Sequence, residues 1–297
     1  MHQNEQLMDI VKDIAAQSPY IYVVAMNGSR VNTNVGADAW QDYDVVYIVE
    51  DVSIFVKDRS WLDFFPKRLI MQVPTDMGSD QPWPTFLMQF ENGDRVDLMF
   101  VPVTDLATYL QSDSLVKIIM DKEGMLEGYD LQEPDDSKYW IQKATHSDYQ
   151  DSVNEFLWLS LYVTKGLKRK ELLYAIDHLS IMRDELLKMM TWMVGNKTNH
   201  KISLGKNHRL LKVFIEEDMW ARFMTTYNLS DAELIWDALE TLLSLYEIVA
   251  DRVADNQHFT YDRGQYHAIR NTILALRKDT NLYSIHDIIR DASLEVL

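Results

Sequence analysis

From about residue 141 onward the chain changes its period, and that change limits the available folds more than any other feature. Five segments, 153–167, 170–194, 207–227, 231–254 and 261–277, repeat apolar residues every three or four positions. Glycine and proline almost vanish from their interiors, so each reads as a long amphipathic helix. Such helices are marginal alone in water and bury their stripes against one another, so a helical bundle is expected. Ser230 and Asp231, with Glu233 three residues after the serine, give one helix a capping start. Met189, Met190, Trp192 and Met193 form the apolar side of another and read as packing.

The preceding residues alternate instead. The opening stretch mixes Glu5, Asp9 and Asp13 among apolar residues, which predicts an amphipathic helix and not a signal peptide. Strands are expected at 21–26 (IYVVAM), around 44–49, at 85–90 (TFLMQF) and at 95–103 (RVDLMFVPV). Asn92-Gly93 between the last two is a strong hairpin signal. Residues 51–69 carry Ile54, Phe55, Trp61, Leu62 and Phe65 at helical spacing, and Pro74, Gly78, Pro82 and Pro84 mark a loop. The fold class is therefore α+β: a mixed sheet of about four or five strands flanked by helices, then an all-helical bundle. The acidic EPDDSKYW at 133–140 is the expected join, dividing 1–138 from 139–297.

Composition narrows the chemistry. There is no cysteine in the 297 residues, which excludes disulfides, thiolate metal sites and cysteine nucleophiles. No apolar run approaches the roughly 20 residues that span a bilayer, so no membrane partner and a cytoplasmic location are expected. Net charge is −17, and residues 1–140 hold most of it, with 10 Lys and Arg against 24 Asp and Glu. That field disfavours nucleic acid and suits a small polycation; keeping the chain soluble is an equally good reason for it.

One constellation stands out within the acidic half. Asp42 and Asp44 flank Tyr43 at the mouth of an apolar strand, where side chains at i and i+2 share a face about 6.6 Å apart. Either they close a turn or a cation sits between them. Asp97, with Val96 and Leu98 beside it, points from its own strand to the face opposite those neighbours. If that strand lies beside the Asp42 strand, three carboxylates converge at one sheet edge. Such a set suits Mg²⁺, and two ions about 4 Å apart would serve a phosphoryl displacement. Gly28, Ser29 and Arg30 follow a strand and open a loop whose glycine, hydroxyl and N–H groups can hold phosphate oxygens. Gly-Ser-Arg or Asp-x-Asp alone would be an ordinary turn; the ordered set is much more specific.

The succession GSR, DYD and RVDL resembles the signature of DNA polymerase β-type nucleotidyltransferases. Its surroundings, QDYDVVYIVED, KDRSWLDFF, RLIMQVP and RVDLMFVPV, are similar to the aminoglycoside 6-adenylyltransferases, the streptomycin-modifying enzymes. The similarity continues through DSVNEFLWLSLYVTKGLKRKELLYAIDHL and SLGKNHRLLKVF and thins after about residue 255. It implies a nucleotidyltransferase domain over 1–138 and a helical acceptor- and ATP-binding domain over 139–297. It also implies transfer of AMP from Mg-ATP to the 6-hydroxyl of streptomycin, with release of pyrophosphate and resistance to the antibiotic. Asp42, Asp44 and Asp97 would be the catalytic and metal-binding residues, Asp97 serving as general base, metal ligand or both. Gly28, Ser29 and Arg30 would hold the phosphates. A nucleotidyltransferase with another acceptor and a non-catalytic nucleotide-binding module remain alternatives; three retained, mutually repelling carboxylates weigh against the second.

The helical half offers a complementary surface. Glu155, Trp158, Tyr162, Lys165 and Arg169 follow at spacings of 3, 4, 3 and 4, one helical stripe that would make a poor core. Lys165 and Arg169 are the preferred cations for the triphosphate, although a solvated helix end explains them too and Gly166 is a potential break. Glu155, Trp158, and Tyr174 with Asp177 on the next helix, are candidates for binding a cationic acceptor. His178 beside them reads as a packing histidine.

Overall fold

The computed structural model describes residues 3–279. The chain divides into two compact units, Met1–Lys138 and Tyr139–Leu297.

In the first unit, helix α1 (Gln3–Gln17) leads into β1 (Ile21–Asn27), then β2 (Tyr43–Val49), the short α2 (Val52–Lys57), β3 (Arg68–Gln72), β4 (Thr85–Phe90), β5 (Arg95–Pro102), α3 (Leu106–Ser112) and β6 (Val116–Asp121). The strands form a sheet in the order β3-β4-β5-β2-β1-β6. The β2–β5 pairing is parallel and the others are antiparallel. Both faces of the central strands are covered, so β2 carries a nearly continuous buried apolar run instead of an alternation. On one face Val24, Tyr47, Leu98 and Phe100 pack with Leu7, Val11 and Ile14 of α1 and with Phe55 and Trp61. On the other, Val23, Ala25, Val46, Ile48 and Val101 meet Leu106 and Tyr109 of α3. Asp44 and Asp97 share this second face by the two-residue period of their strands.

The hairpin at Asn92-Gly93 forms: Gly93 takes φ +88° and its N–H donates to the Phe90 carbonyl at 3.0 Å. Residues 51–69 do not make one long helix. After α2 comes a separate 3-10 turn at Ser60–Phe64, because Asp58 and Phe65 are extended. β3 and β6 were not among the expected strands and lie at the sheet's two edges, where one flank has no partner strand and no clean alternation is required.

The second unit holds α4 (His146–Lys168), α5 (Leu172–Lys197), α6 (Leu211–Phe214), α7 (Glu217–Thr225), α8 (Ala232–Gln257) and α9 (Arg263–Lys278). They enclose one core in which Phe156, Val163, Leu186, Met189, Leu242, Tyr246 and Ile273 are fully buried. Phe156 and Tyr246 stack with ring centroids 3.7 Å apart. Thr145 and Asp148 cap α4 reciprocally, each side chain satisfying the other's backbone N–H. The N-cap of α8 is Asp231, whose carboxylate accepts the Leu234 N–H, and not Ser230. The segment 207–227 starts as helix only at Leu211, after Asn207 and His208 take positive φ, and is broken into α6 and α7 because Ile215 and Glu216 are extended. Gly166 does not interrupt α4. It lets α5 approach, since a Cβ there would lie 3.1 Å from the Ala175 nitrogen.

Candidate active site

At its C-terminal end β1 delivers Asn27 and then a 3-10 turn, Gly28–Val31. Gly28 has φ +74°, and a Cβ placed on it would sit 2.2 Å from Asp44 Oδ2. Glycine is required here twice, by the left-handed backbone and by the carboxylate lying against it. Neighbouring strands align Asn27 with Asp44, Asp44 with Asp97, and Asp97 with Leu87, one row across four strands. The parallel register of β2 and β5 brings together two aspartates that are far apart in sequence.

The row floors a cavity of about 390 Å³ lined by Asn27, Gly28, Asp44, Thr85, Asp97 and Asp113, among others. Burial and the charges of Asp97 and Asp42 push the Asp44 carboxyl up to about 6, with Arg95 and Arg30 opposing the shift. Arg95, two residues before Asp97 on the same face of β5, donates from Nε and Nη2 to the two Asp97 oxygens, both at 2.7 Å. Its Nη1 lies 3.6 Å from Asp42 Oδ2. Among the described residues, no three histidine, aspartate or glutamate side chains are grouped so as to hold a metal ion. The donor chemistry nevertheless fits a divalent cation. Three carboxylates supply only oxygen ligands, repulsion already strains Asp44, and a side-chain cation has been drawn onto two of them.

Arg30 is placed differently from the phosphate contact expected of it. Its Nε donates to the carbonyls of Gln41 and Asp42 at 3.2 and 3.1 Å, and Nη2 donates to Gln41 at 2.7 Å. The guanidinium lies 3.6 Å over the buried Tyr43 ring. It ties the glycine turn to the entry of β2. Gln41 does the same from the other side, donating from Nε2 to the Ser29 carbonyl at 3.3 Å. Asp136, almost fully buried, accepts from Asn34 at 3.0 Å and holds the intervening loop. Tyr109 of α3 donates to Asn27 Oδ1 at 2.6 Å. Sequence reasoning missed Gln41, Arg95, Tyr109 and Asp136. Only Arg95 had a usable signal, the same i, i+2 rule that joined Asp42 to Asp44.

In the helical unit, Glu155, Trp158 and Lys165 are exposed along α4, and Tyr174 and Asp177 along α5. Tyr162 lies between their aromatic rings, 6.0 Å from Trp158, 6.5 Å from Tyr174 and 5.2 Å from His178. His178 thus belongs to the aromatic edge. Its Nδ1 is 2.7 Å from the Tyr174 carbonyl, and its ring is 4.1 Å from that of Tyr174. Arg169 caps the end of α4 and pairs with Glu171 at 3.0 Å, so it is less available to a ligand than Lys165.

A glycine turn beside two strand-paired aspartates, with a third at the strand entry, is the framework of a nucleotidyltransferase, and this chain is one. The family described as streptomycin adenylyltransferase matches residues 1–274, and the chain belongs to that family. It is 36% identical to an aminoglycoside 6-adenylyltransferase of Bacillus subtilis (strain 168) over 88% of this chain and 93% of that protein. It is also 36% identical to one of Campylobacter jejuni over 97% and 99%, and 32% identical to one of Staphylococcus aureus over 88% and 94%. A crystal structure of an aminoglycoside 6-adenyltransferase from Bacillus subtilis, 30% identical, covers 92% of this chain and 97% of that one with a TM-score of 0.47. Among the described residues no helix is long and apolar enough to cross a membrane.

Proposed function

We propose that this protein transfers AMP from ATP to a hydroxyl of an aminoglycoside, with the 6-hydroxyl of streptomycin as the acceptor. The observation that carries the reading is the Asp44–Asp97 pair, set side by side over Gly28 in the cavity of the first unit. Asp42, Asp44 and Asp97 would hold Mg²⁺, which when bound neutralises phosphate charge and acidifies a coordinated hydroxyl. The turn at Gly28 and Ser29 offers backbone N–H groups and a hydroxyl to phosphate oxygens. Asp97 accepts the acceptor's proton as its oxygen bonds to the α-phosphorus and the bond to the bridging oxygen breaks, releasing pyrophosphate. The aromatic and acidic edge of the helical unit suits a guanidinium-bearing sugar: Trp158 and Tyr174 offer ring faces, Glu155 and Asp177 opposite charge. Lys165 is the helical residue we assign to phosphate, with Arg169 second.

Pyrophosphate release from ATP and Mg²⁺ is the test, with and without streptomycin, on wild type and Asp42→Asn. The reading requires streptomycin-dependent release that is lost in the variant. Equal release in both proteins rejects the role of Asp42. Release that ignores streptomycin but follows another hydroxyl compound reassigns the acceptor alone.

A further inference from the structure

Arg95 has a geometry that the reaction leaves unexplained. The guanidinium engages both oxygens of Asp97 in a two-pronged contact, each at 2.7 Å, and reaches Asp42 at 3.6 Å. A carboxylate held this way has one lone pair of each oxygen engaged, and a positive charge occupies the side that a cation would otherwise approach. The three aspartates are also not gathered into a metal-holding group in this arrangement. The same guanidinium lies in the field of Asp44 and partly offsets the charge of the cluster.

We infer that Arg95 is an internal counter-ion that masks Asp97 and Asp42 in the ligand-free enzyme and is displaced when a divalent cation enters. The inference rests on the proposed role of the three carboxylates as metal ligands. Arg95 is a positioning residue by this account: it keeps like charges tolerable while the site is empty, and it withholds Asp97 until a stronger cation arrives. Its side chain is about one-third exposed, which leaves solvent on one side and a path to swing away. Displacement requires only a rotamer change on β5, with no movement of the sheet. The cost of breaking the fork is then subtracted from the cation's affinity, so the wild type binds metal more weakly than its carboxylates alone would.

The test is the binding of Mn²⁺ alone to the full chain, followed by the loss of the free-ion electron paramagnetic resonance signal. Wild type, Arg95→Gln and Arg95→Lys are compared, with melting temperature measured in parallel. Arg95→Gln should bind Mn²⁺ about tenfold more tightly, as expected from losing one competing charge-assisted pair. Without metal it should melt below wild type. Arg95→Lys keeps the positive charge but not the planar fork. It too should bind more tightly than wild type, which separates release of the latch from a mere change of field. Wild-type affinity in Arg95→Lys with tighter binding in Arg95→Gln reduces the effect to net charge and overturns the latch. Equal or weaker binding in Arg95→Gln overturns it as well. Absence of Mn²⁺ binding in all three proteins rejects both the latch and the metal role on which it rests, whereas binding in wild type unaffected by either substitution rejects the latch alone.

Discussion

Asp44→Asn is expected to make the ligand-free protein more stable while destroying its activity. The Asp44 carboxyl is raised from the ordinary value of 3.8 to about 6, chiefly by burial and then by Asp97 and Asp42. A group whose folded-state pKa is raised in this way favours the protonated form of the fold. The penalty is absent below about pH 4, grows as the carboxylate ionises, and is complete above about pH 6. One pKa unit corresponds to ~1.4 kcal/mol, so two units give roughly 3 kcal/mol as an upper value. Solvent entering through the cavity screens the charge, which brings the expected gain nearer to about 2 kcal/mol. Asparagine has nearly the same shape, so the glycine turn beneath it need not move. Urea denaturation in EDTA at pH 7.5 should show the variant stabilised by that amount, and at pH 4 the two curves should merge. If the three carboxylates hold the ion as proposed, adding Mg²⁺ should stabilise wild type more than the variant and narrow the gap, because only wild type has all three. Pyrophosphate release should fall about a thousandfold, the scale of several kcal/mol of lost charge stabilisation. A variant that at pH 7.5 is less stable than wild type, or whose difference from wild type does not change with pH, would show that repulsion and burial at Asp44 are not a cost of the site.

Three further substitutions probe the supports of the same machinery. Gly28→Ala must accommodate a methyl group 2.2 Å from Asp44 Oδ2 at a left-handed backbone position. It should lose about 1–2 kcal/mol of stability and most of its turnover, and an unchanged kcat would disprove the close fit. Arg30→Ala should lose about 2 kcal/mol in denaturant unfolding, since it strips donors from the carbonyls at the mouth of β2. Arg30→Lys should fail to restore it, because an ammonium reproduces neither the fork nor the stacking on Tyr43; a lysine variant equal to wild type would refute this. Trp158→Ala should raise the KM for streptomycin about tenfold with the KM for ATP unchanged, and an effect on ATP alone would remove Trp158 from acceptor binding.

The parts of the fold readable in the sequence were those where one local rule dominates. The hairpin at Asn92-Gly93 follows from a glycine that adopts positive φ, and α5 and α8 follow from periodicity sustained over more than twenty residues, whereas periodicity marks α4 only over 153–167 and the helix begins at His146. β3 escaped because its central Leu69 and Ile70 are both exposed, an edge strand without the alternation that burial imposes. The segment 207–227 kept a helical pattern but is divided by Asn207, His208 and Ile215, whose backbone angles no period announces. In the candidate site, the same-face rule pointed to Asp42 and Asp44 and apolar neighbours to Asp97, and the strand register sets Asp44 beside Asp97. Arg95 obeyed that rule equally well, and its value emerges only from the distances across β5 and β2. Arg30 shows the opposite difficulty. A cation in a turn expected to hold phosphate is engaged with backbone carbonyls, and residue type alone cannot separate the two uses.

The parallel pairing of β2 with β5 also bears on how the protein is made. In a meander the starts of successive strands lie at opposite ends; here the two starts lie together, and neither the β3–β4 nor the β4–β5 hairpin brings one aspartate to the other. A contact between residues 44 and 97 closes a long loop, an entropy cost that local hairpins do not bear. A chain in which β2 and β5 are not yet paired does not hold the two carboxylates side by side. On the proposed metal role of these carboxylates, the capacity to bind a divalent ion would appear only once β2 and β5 have paired, and ion binding would report on that pairing.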